Sequence, residues 1–197
     1  DPTDAFKASG NSIFNQEKLA KRKDEVITYE PTYGEFTADV VYAPDGMSIN
    51  VDNVEFLPLS GGYWKIFKEP EEGHPYVAVC DPTKGLNKDY AAIQIVDNST
   101  REQVAVMRTN QLSLEEVAKQ LLCGAIHYNN ALLSSENNTG PIVLDWIART
   151  GYTRIYQEQA EIYEDFGQRI GKRLGHATTK GTRDEYIANF RMAFNAG

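Results

Sequence analysis

The spacing of apolar positions changes character along the chain. Up to about residue 35 no regular apolar period holds, the run KRKDE at 21–25 sits in polar surroundings, and the one predicted element is a short helix over 16–22. This stretch reads as a linker or docking arm. Next, β-branched and aromatic residues alternate with polar ones in FTADVVYA, SINVDNVEFLPL and YWKIFKEP, separated by the turn formers Pro44-Asp45-Gly46 and Ser60-Gly61-Gly62. A period of two bounded by such turns predicts strands joined as hairpins. At Tyr76 the alternation stops: YVAVCD is almost continuously apolar, the pattern of a buried central strand. AAIQIVDN and EQVAVMRTN are two more strands, with Asp97-Asn98-Ser99 as the turn between them. Over 112–128 the period lengthens to that of a helix. Leu114, Val117, Ala118, Leu121 and Leu122 share one face, and Ser113 with Glu116 makes a capping box at its start. ALLSSE is a fourth strand, 141–150 a helix opened by Pro141 and ended by Gly151, TRIYQE a fifth strand, and 182–194 a last helix.

From Tyr76 the order is thus three strands, a helix, a strand, a helix, a strand and a helix. The first three strands can form an antiparallel meander. The fourth and fifth are reached through helices and so run parallel to the first. This is the order of the RNase H-like α/β fold, a mixed sheet of three antiparallel and two parallel strands flanked by helices, with the fourth strand beside the first. The expected division is an arm over 1–35 and an RNase H-like domain over 36–197 that carries extra β-hairpins at its start.

That topology gives two acidic residues their meaning. Asp81 ends the first strand of the meander and Glu136 ends the fourth. Neighbouring strands lie about 4.8 Å apart, so both carboxylates leave the sheet at one edge, where open α/β sheets place their ligands. Each taken alone is as readily a turn former or a solvated loop residue. Taken together they would repel, and a divalent cation relieves the repulsion. Hard oxygen donors favour Mg²⁺ or Mn²⁺ over zinc, and two such ions can activate a water and stabilise the leaving oxygen of a phosphodiester.

Composition adds exclusions. The chain is 41% hydrophobic and 24% charged, as in a soluble globular protein. No apolar run approaches the ~18 residues of a membrane span, and no basic-then-apolar signal opens the chain. Cys80 and Cys123, the only cysteines, lie in apolar runs and read as buried small hydrophobes. A reducing, intracellular setting is expected. The net charge of −8 argues against a protein that coats nucleic acid with its whole surface. The bases cluster, however: Arg169, Lys172, Arg173, Lys180 and Arg183 fall within 168–183, a stretch without an acidic residue. Such a stretch is either an ordinary solvated hairpin or a phosphate-contacting loop that reads no bases. Lys84, three residues after Asp81, is a further candidate phosphate contact, and His176 inside the basic stretch is another. No glycine-rich phosphate loop is present, so any ATPase lies outside this chain.

At this point the sequence resembles a family. YVAVCDPTKGLNKDYAAIQIVD is similar to the nuclease pattern of viral terminase large subunits: an apolar strand, Asp-Pro, a glycine, then Asp-Tyr opening the next strand. HYNNALLSSENNTG with the following helix and GYTRIY resembles the second acidic block of that family. GKRLGHATTKGTRDEYIANF resembles its loop and next helix, and DAFKASGNSIF the connector that follows its ATPase domain. The resemblance covers most of the chain, least securely 36–60.

It implies a Mg²⁺- or Mn²⁺-dependent endonuclease domain, with a two-metal site, that cuts double-stranded DNA with little sequence preference during bacteriophage genome packaging. Asp81 and Glu136 match the first two metal-binding carboxylates, and Asp89 matches an acidic position that supports them. The third catalytic aspartate of the family lies in a later helix that this chain lacks. The chain is therefore expected to be truncated at its C-terminus, and on its own to bind metal weakly and cut poorly. The implied partners are duplex DNA, an ATPase domain of the same polypeptide, the portal and the small terminase subunit, in the host cytoplasm at the procapsid portal. Two rivals share the fold: a junction resolvase or hybrid nuclease, and a docking module of the packaging motor that has lost cutting.

Overall fold

The computed structural model describes residues 14–26, 28–82, 89–137, 141–164 and 167–196. In chain order its elements are α1 (Gln16–Val26), β1 (Thr32–Tyr42), β2 (Ile49–Pro58), β3 (Trp64–Ile66), β4 (Tyr76–Asp81), β5 (Ala91–Asp97), β6 (Gln103–Thr109), α2 (Leu114–His127), β7 (Leu132–Ser135), α3 (Ile142–Ala148), β8 (Gln157–Glu164), β9 (Gly167–Leu174) and α4 (Lys180–Ala196). They fall into two units: Pro31–Ala177, and the described parts of Asp1–Glu30 with Thr178–Gly197.

In the larger unit seven strands form one sheet, in the order β2-β1-β3-β6-β5-β4-β7. β4, β5 and β6 make the predicted antiparallel meander, and β7 lies parallel to β4. The early hairpin does not stand apart. β1 pairs with β3 and β3 with β6, so the extra strands continue the central sheet. In the smaller unit α1 and α4 are tied together. The Phe14 ring meets those of Phe190 and Phe194 at centroid distances of 5.6 and 5.3 Å, and the Lys18 ammonium donates to the carbonyl of Asn195.

One face of the large sheet carries the core. Tyr76, Ala78 and Cys80 of β4 and Ala91, Ile93 and Ile95 of β5 are buried, under Val117, Ala118, Leu121 and Leu122 of α2 and Val143, Leu144 and Ile147 of α3. The capping box predicted for α2 is present: Ser113 Oγ accepts from the Glu116 backbone N–H, while the Glu116 carboxylate accepts from that of Ser113. Gly124 inside α2 gives up about 1 kcal/mol of helix propensity relative to alanine. A Cβ there would stand 3.0 Å from the Trp64 ring, so the gap in the helix surface is what admits the indole.

Gln120 is one of the buried polar residues, at 8% exposure. Its amide oxygen accepts from Trp64 Nε1 at 2.7 Å and from the Phe36 backbone N–H at 3.3 Å, and its amide nitrogen donates to the Phe36 carbonyl at 2.8 Å. Both cysteines are buried as expected, and burial pushes the Cys80 thiol up to about 12 and that of Cys123 to about 11.

Two features differ from the sequence reading. The apolar run of β4 suggested a strand buried throughout, yet Val79 is 37% exposed and Leu132 beside it on β7 is 36% exposed. α2 and α3 contribute to one core cluster, and Val79 and Leu132 face away from it, on the side termed the open face. The predicted fifth strand TRIYQE is also divided. Only Ile155 bridges to Leu133, in parallel, with Leu133 N–H donating to Arg154 at 2.9 Å and Tyr156 N–H to Leu133 at 2.8 Å. At Gln157 the chain leaves the sheet into the antiparallel hairpin β8–β9, and it comes back at Gly175–His176 to bridge Glu136 in parallel. The fifth position of the sheet is filled by two short pieces with a hairpin between them.

Candidate functional site

The last parallel pair of β4 and β7 is Cys80 with Ser135, and Glu136 N–H donates to the Cys80 carbonyl at 3.0 Å. One step further, Asp81 and Glu136 stand side by side. Side chains alternate along a strand, so with Cys80 and Ser135 turned into the core this next pair falls on the open face. Asp81 is exposed and Glu136 half-buried.

The returning segment fixes Glu136 from its other side. His176 N–H donates to the Ser135 carbonyl at 3.1 Å, Asn137 N–H donates to the His176 carbonyl at 2.8 Å, and the Asn137 amide donates to the Leu174 carbonyl. Gly175 makes this close approach possible. Its φ is +77°, and a Cβ would lie 2.3 Å from the Ser135 carbonyl oxygen. The His176 ring meets Ser134 Oγ at 2.9 Å. Asn137 Oδ1, next to Glu136, is buried without a hydrogen-bond partner.

The other predicted residues are distributed differently. Asp89 is exposed on the bend before β5, at the same sheet edge as Asp81. Among the described residues no three His, Cys, Asp or Glu side chains gather into a metal-binding group. Asp81 and Glu136, the two carboxylates on neighbouring strands, offer oxygen donors only and suit a hard divalent cation. Lys84 lies outside the described residues.

The basic stretch is not one loop. Arg169, Lys172 and Arg173 belong to β9, with the Arg169 side chain outside the description, whereas Lys180 and Arg183 belong to α4 in the other unit. Within the hairpin, Glu158 of β8 stands opposite Arg173 of β9. Arg173 Nε donates to Glu158 Oε1 at 3.1 Å. Lys172 is exposed opposite Gln159.

The sequence reading passed over a third feature. Asp81 pairs with Ala92 on β5, and Ala92 pairs with Arg108 on β6. Glu136, Asp81, Ala92 and Arg108 therefore form one row across four strands of the open face. The Arg108 guanidinium lies over the Tyr90 ring, 3.7 Å from its centroid.

No protein-family profile matches the chain. Among solved structures it is similar to the large terminase nuclease from thermophilic phage G20c. With bound magnesium the TM-score is 0.50 at 13% identity, with bound cobalt 0.50 at 14%, and with bound zinc 0.51 at 13%. Each match covers 68% of this chain and between 60% and 66% of the phage nuclease, so less than two thirds of that protein's length is represented. At this identity the likeness concerns the fold, and this chain has the RNase H-like fold of phage large-terminase nuclease domains, the family its own motifs resemble.

Proposed function

We propose that this chain is the metal-dependent endonuclease domain of a phage DNA-packaging terminase, acting on double-stranded DNA with little sequence preference. The observation that carries the reading is the placement of Asp81 and Glu136 side by side, on the open face, at the carboxyl ends of two parallel strands. That the similar phage nuclease takes up magnesium, cobalt and zinc supports the choice of divalent cations. Asp81 and Glu136 would hold Mg²⁺ or Mn²⁺, with Asp89 assisting from the same edge. Bound there, such ions supply Lewis acidity, an activated water and charge for the leaving oxygen.

The protein's own part is electrostatic and positional. The backbone at Asp81 and Glu136 is held about one strand spacing apart, with Glu136 N–H donating to Cys80 and His176 N–H to Ser135, and in this reading a cation would meet two strand ends already in register. No side chain acts as nucleophile in this reading; water attacks the phosphorus. Lys84, Arg169, Lys172, Arg173, Lys180 and Arg183 are proposed to contact phosphates. Arg173 would first have to exchange Glu158 for a phosphate. Duplex DNA, an ATPase domain, the portal and the small terminase subunit are the proposed partners, at the procapsid portal in the host cytoplasm.

The test combines Mn²⁺ titration calorimetry with supercoiled-plasmid nicking for the wild type, Asp81→Asn and Glu136→Gln. Both substitutions remove ligand charge at nearly constant shape. They should abolish Mn²⁺ uptake and nicking while circular dichroism and the melting temperature stay put. Nicking that persists undiminished in Asp81→Asn would defeat the proposal. Faster cutting of four-way junctions or RNA–DNA hybrids than of duplex would redirect it to the resolvase or hybrid-nuclease alternative.

A further inference from the structure

The open face bears a cationic strip that the carboxylate site does not use. Arg108 stands in the same row as Asp81, with only Ala92 between them. At about 4.8 Å per strand its Cα lies roughly 10 Å from that of Asp81. Two residues back on β6 is Val106, and Lys65 of β3 pairs with it. Lys65 and Arg108 thus lie diagonally adjacent on the open face, and both are exposed.

Each cation is braced by an aromatic ring. Arg108 rests on Tyr90, which is 48% exposed, and Lys65 lies 5.5 Å from the centroid of Tyr33, its partner across β1 and β3. Stacking on a ring costs a guanidinium none of its five donors, so it holds the charge in place and leaves its edge available. The strip is also bounded. On one side are Asp81 and Glu136, and on the other Glu35 and Glu55, which the register of β1 and β2 places beyond it on the same face. A polyanion laid on this face is confined to the band between the two acidic borders.

We infer that Arg108, held by Tyr90 and followed by Lys65, is the phosphate rail of this face, seating a DNA backbone beside the Asp81–Glu136 pair. A guanidinium two strands from the carboxylates cannot displace a cation held by them, yet it reaches a phosphate of the same bound duplex. In this role it touches phosphates, which fix register and carry no sequence information. The inference rests on the nuclease reading for the identity of the polyanion, and it adds residues that reading does not contain.

The experiment uses the full chain and a fluorescein-labelled 30-base-pair duplex, followed by anisotropy in EDTA across a KCl series. Wild type is compared with Arg108→Ala, Arg108→Lys, Tyr90→Leu and Lys119→Ala, a control on α2 at the covered side of the sheet. Arg108→Ala should bind roughly tenfold or more weakly, as expected for a lost charge-assisted contact. Its slope of log K against log salt should fall by about 0.9, the mark of one phosphate contact with B-DNA. Arg108→Lys should keep the slope while losing part of the affinity, and Tyr90→Leu should do the same, because charge remains but its seat does not. Lys119→Ala should match the wild type. Melting temperatures of all variants, read alongside, separate a folding defect from a binding defect.

An unchanged slope in a folded Arg108→Ala overturns the inference, as does an equal loss in Lys119→Ala or a wild type that fails to bind the duplex. None of these readings involves metal or cleavage, so they leave the carboxylate site to be judged by Mn²⁺ titration. A wild type that takes up no Mn²⁺ would sink the nuclease reading while leaving the salt slopes interpretable.

Discussion

Replacing Gly175 with alanine puts a number on the clamp that holds Glu136. Two costs arise together. The residue sits at φ +77°, and an L-residue with a side chain pays about 1–2 kcal/mol to stay in the left-handed region. The new methyl would also stand 2.3 Å from the Ser135 carbonyl oxygen and 2.6 Å from Leu144 Cδ1. Leu144 is fully buried and has little room to retreat, and the carbonyl belongs to β7 itself. Relief requires Gly175–His176 to move off β7, which breaks His176 N–H to Ser135 and Asn137 N–H to His176, at about 1 kcal/mol each. The expected total is about 3–4 kcal/mol. For a chain of this size that corresponds to a melting temperature lower by roughly 6–16 °C.

Urea unfolding followed by tryptophan fluorescence gives the difference directly, provided the m-value is unchanged. Gly175→Asn refines the test, because asparagine tolerates positive φ but carries the same Cβ. It should recover no more than about 1 kcal/mol. A loss below about 1 kcal/mol in Gly175→Ala would refute the reasoning. It would mean that the returning segment relaxes without leaving β7, and that Glu136 is not held by it.

Two further perturbations address the rest of the fold. Gln120→Leu keeps the volume but strands Trp64 Nε1–H and both backbone groups of Phe36; it should cost about 2–4 kcal/mol in the same urea assay, and a neutral result would show that these groups find other partners. The His74–Asp97 pair predicts a pH window. The Asp97 hydrogen bond, against desolvation, raises His74, so its contribution is complete below the unfolded value near 6.5 and fades as pH rises through the higher folded value. For Asp97, desolvation pulls upward but the bonds from His74 and from the Ser99 and Thr100 N–H groups prevail and lower it, so its contribution is complete above about 3.9 and is lost as pH falls through the lower folded value. Melting temperature should therefore be highest between about pH 4 and 6.5, and His74→Asn should flatten the upper side of that maximum; an unaltered profile in this variant would exclude the pair as its source.

The parts of the fold that were legible in the sequence are those in which burial writes a period. α2 declares itself through five apolar residues on one face and a Ser113–Glu116 cap, and the meander through three apolar runs in succession. The divided fifth strand carries no such signal. QEQAEIYE and GQRIGKRL have few apolar residues, and their stability comes from cross-strand pairing such as Glu158 with Arg173, which only the register reveals. The basic stretch was legible as composition and misleading as geometry for the same reason. Read along the chain it lacks acids, but the hairpin brings Glu158 of β8 opposite Arg173, and its last two bases belong to another unit.

The site was legible as far as topology alone determines neighbours. Once β7 lies parallel to β4, Asp81 and Glu136 end their strands at the same edge, and the Cys80–Ser135 register brings their backbones level. Arg108 needs more. Its place beside them depends on where two turns begin, and the β5–β6 register slips at Ile95/Val96, so residue counting from the turn at Asp97 would misplace it. A shift of one residue would turn Arg108 into the core and Met107 onto the open face. The core forbids this: Met107 is fully buried opposite Trp64 of β3, and a guanidinium there would lie in an apolar interior. The covered face thus sets the register of the open one. That is why a cation exposed to solvent is positioned against Asp81 by side chains it never touches.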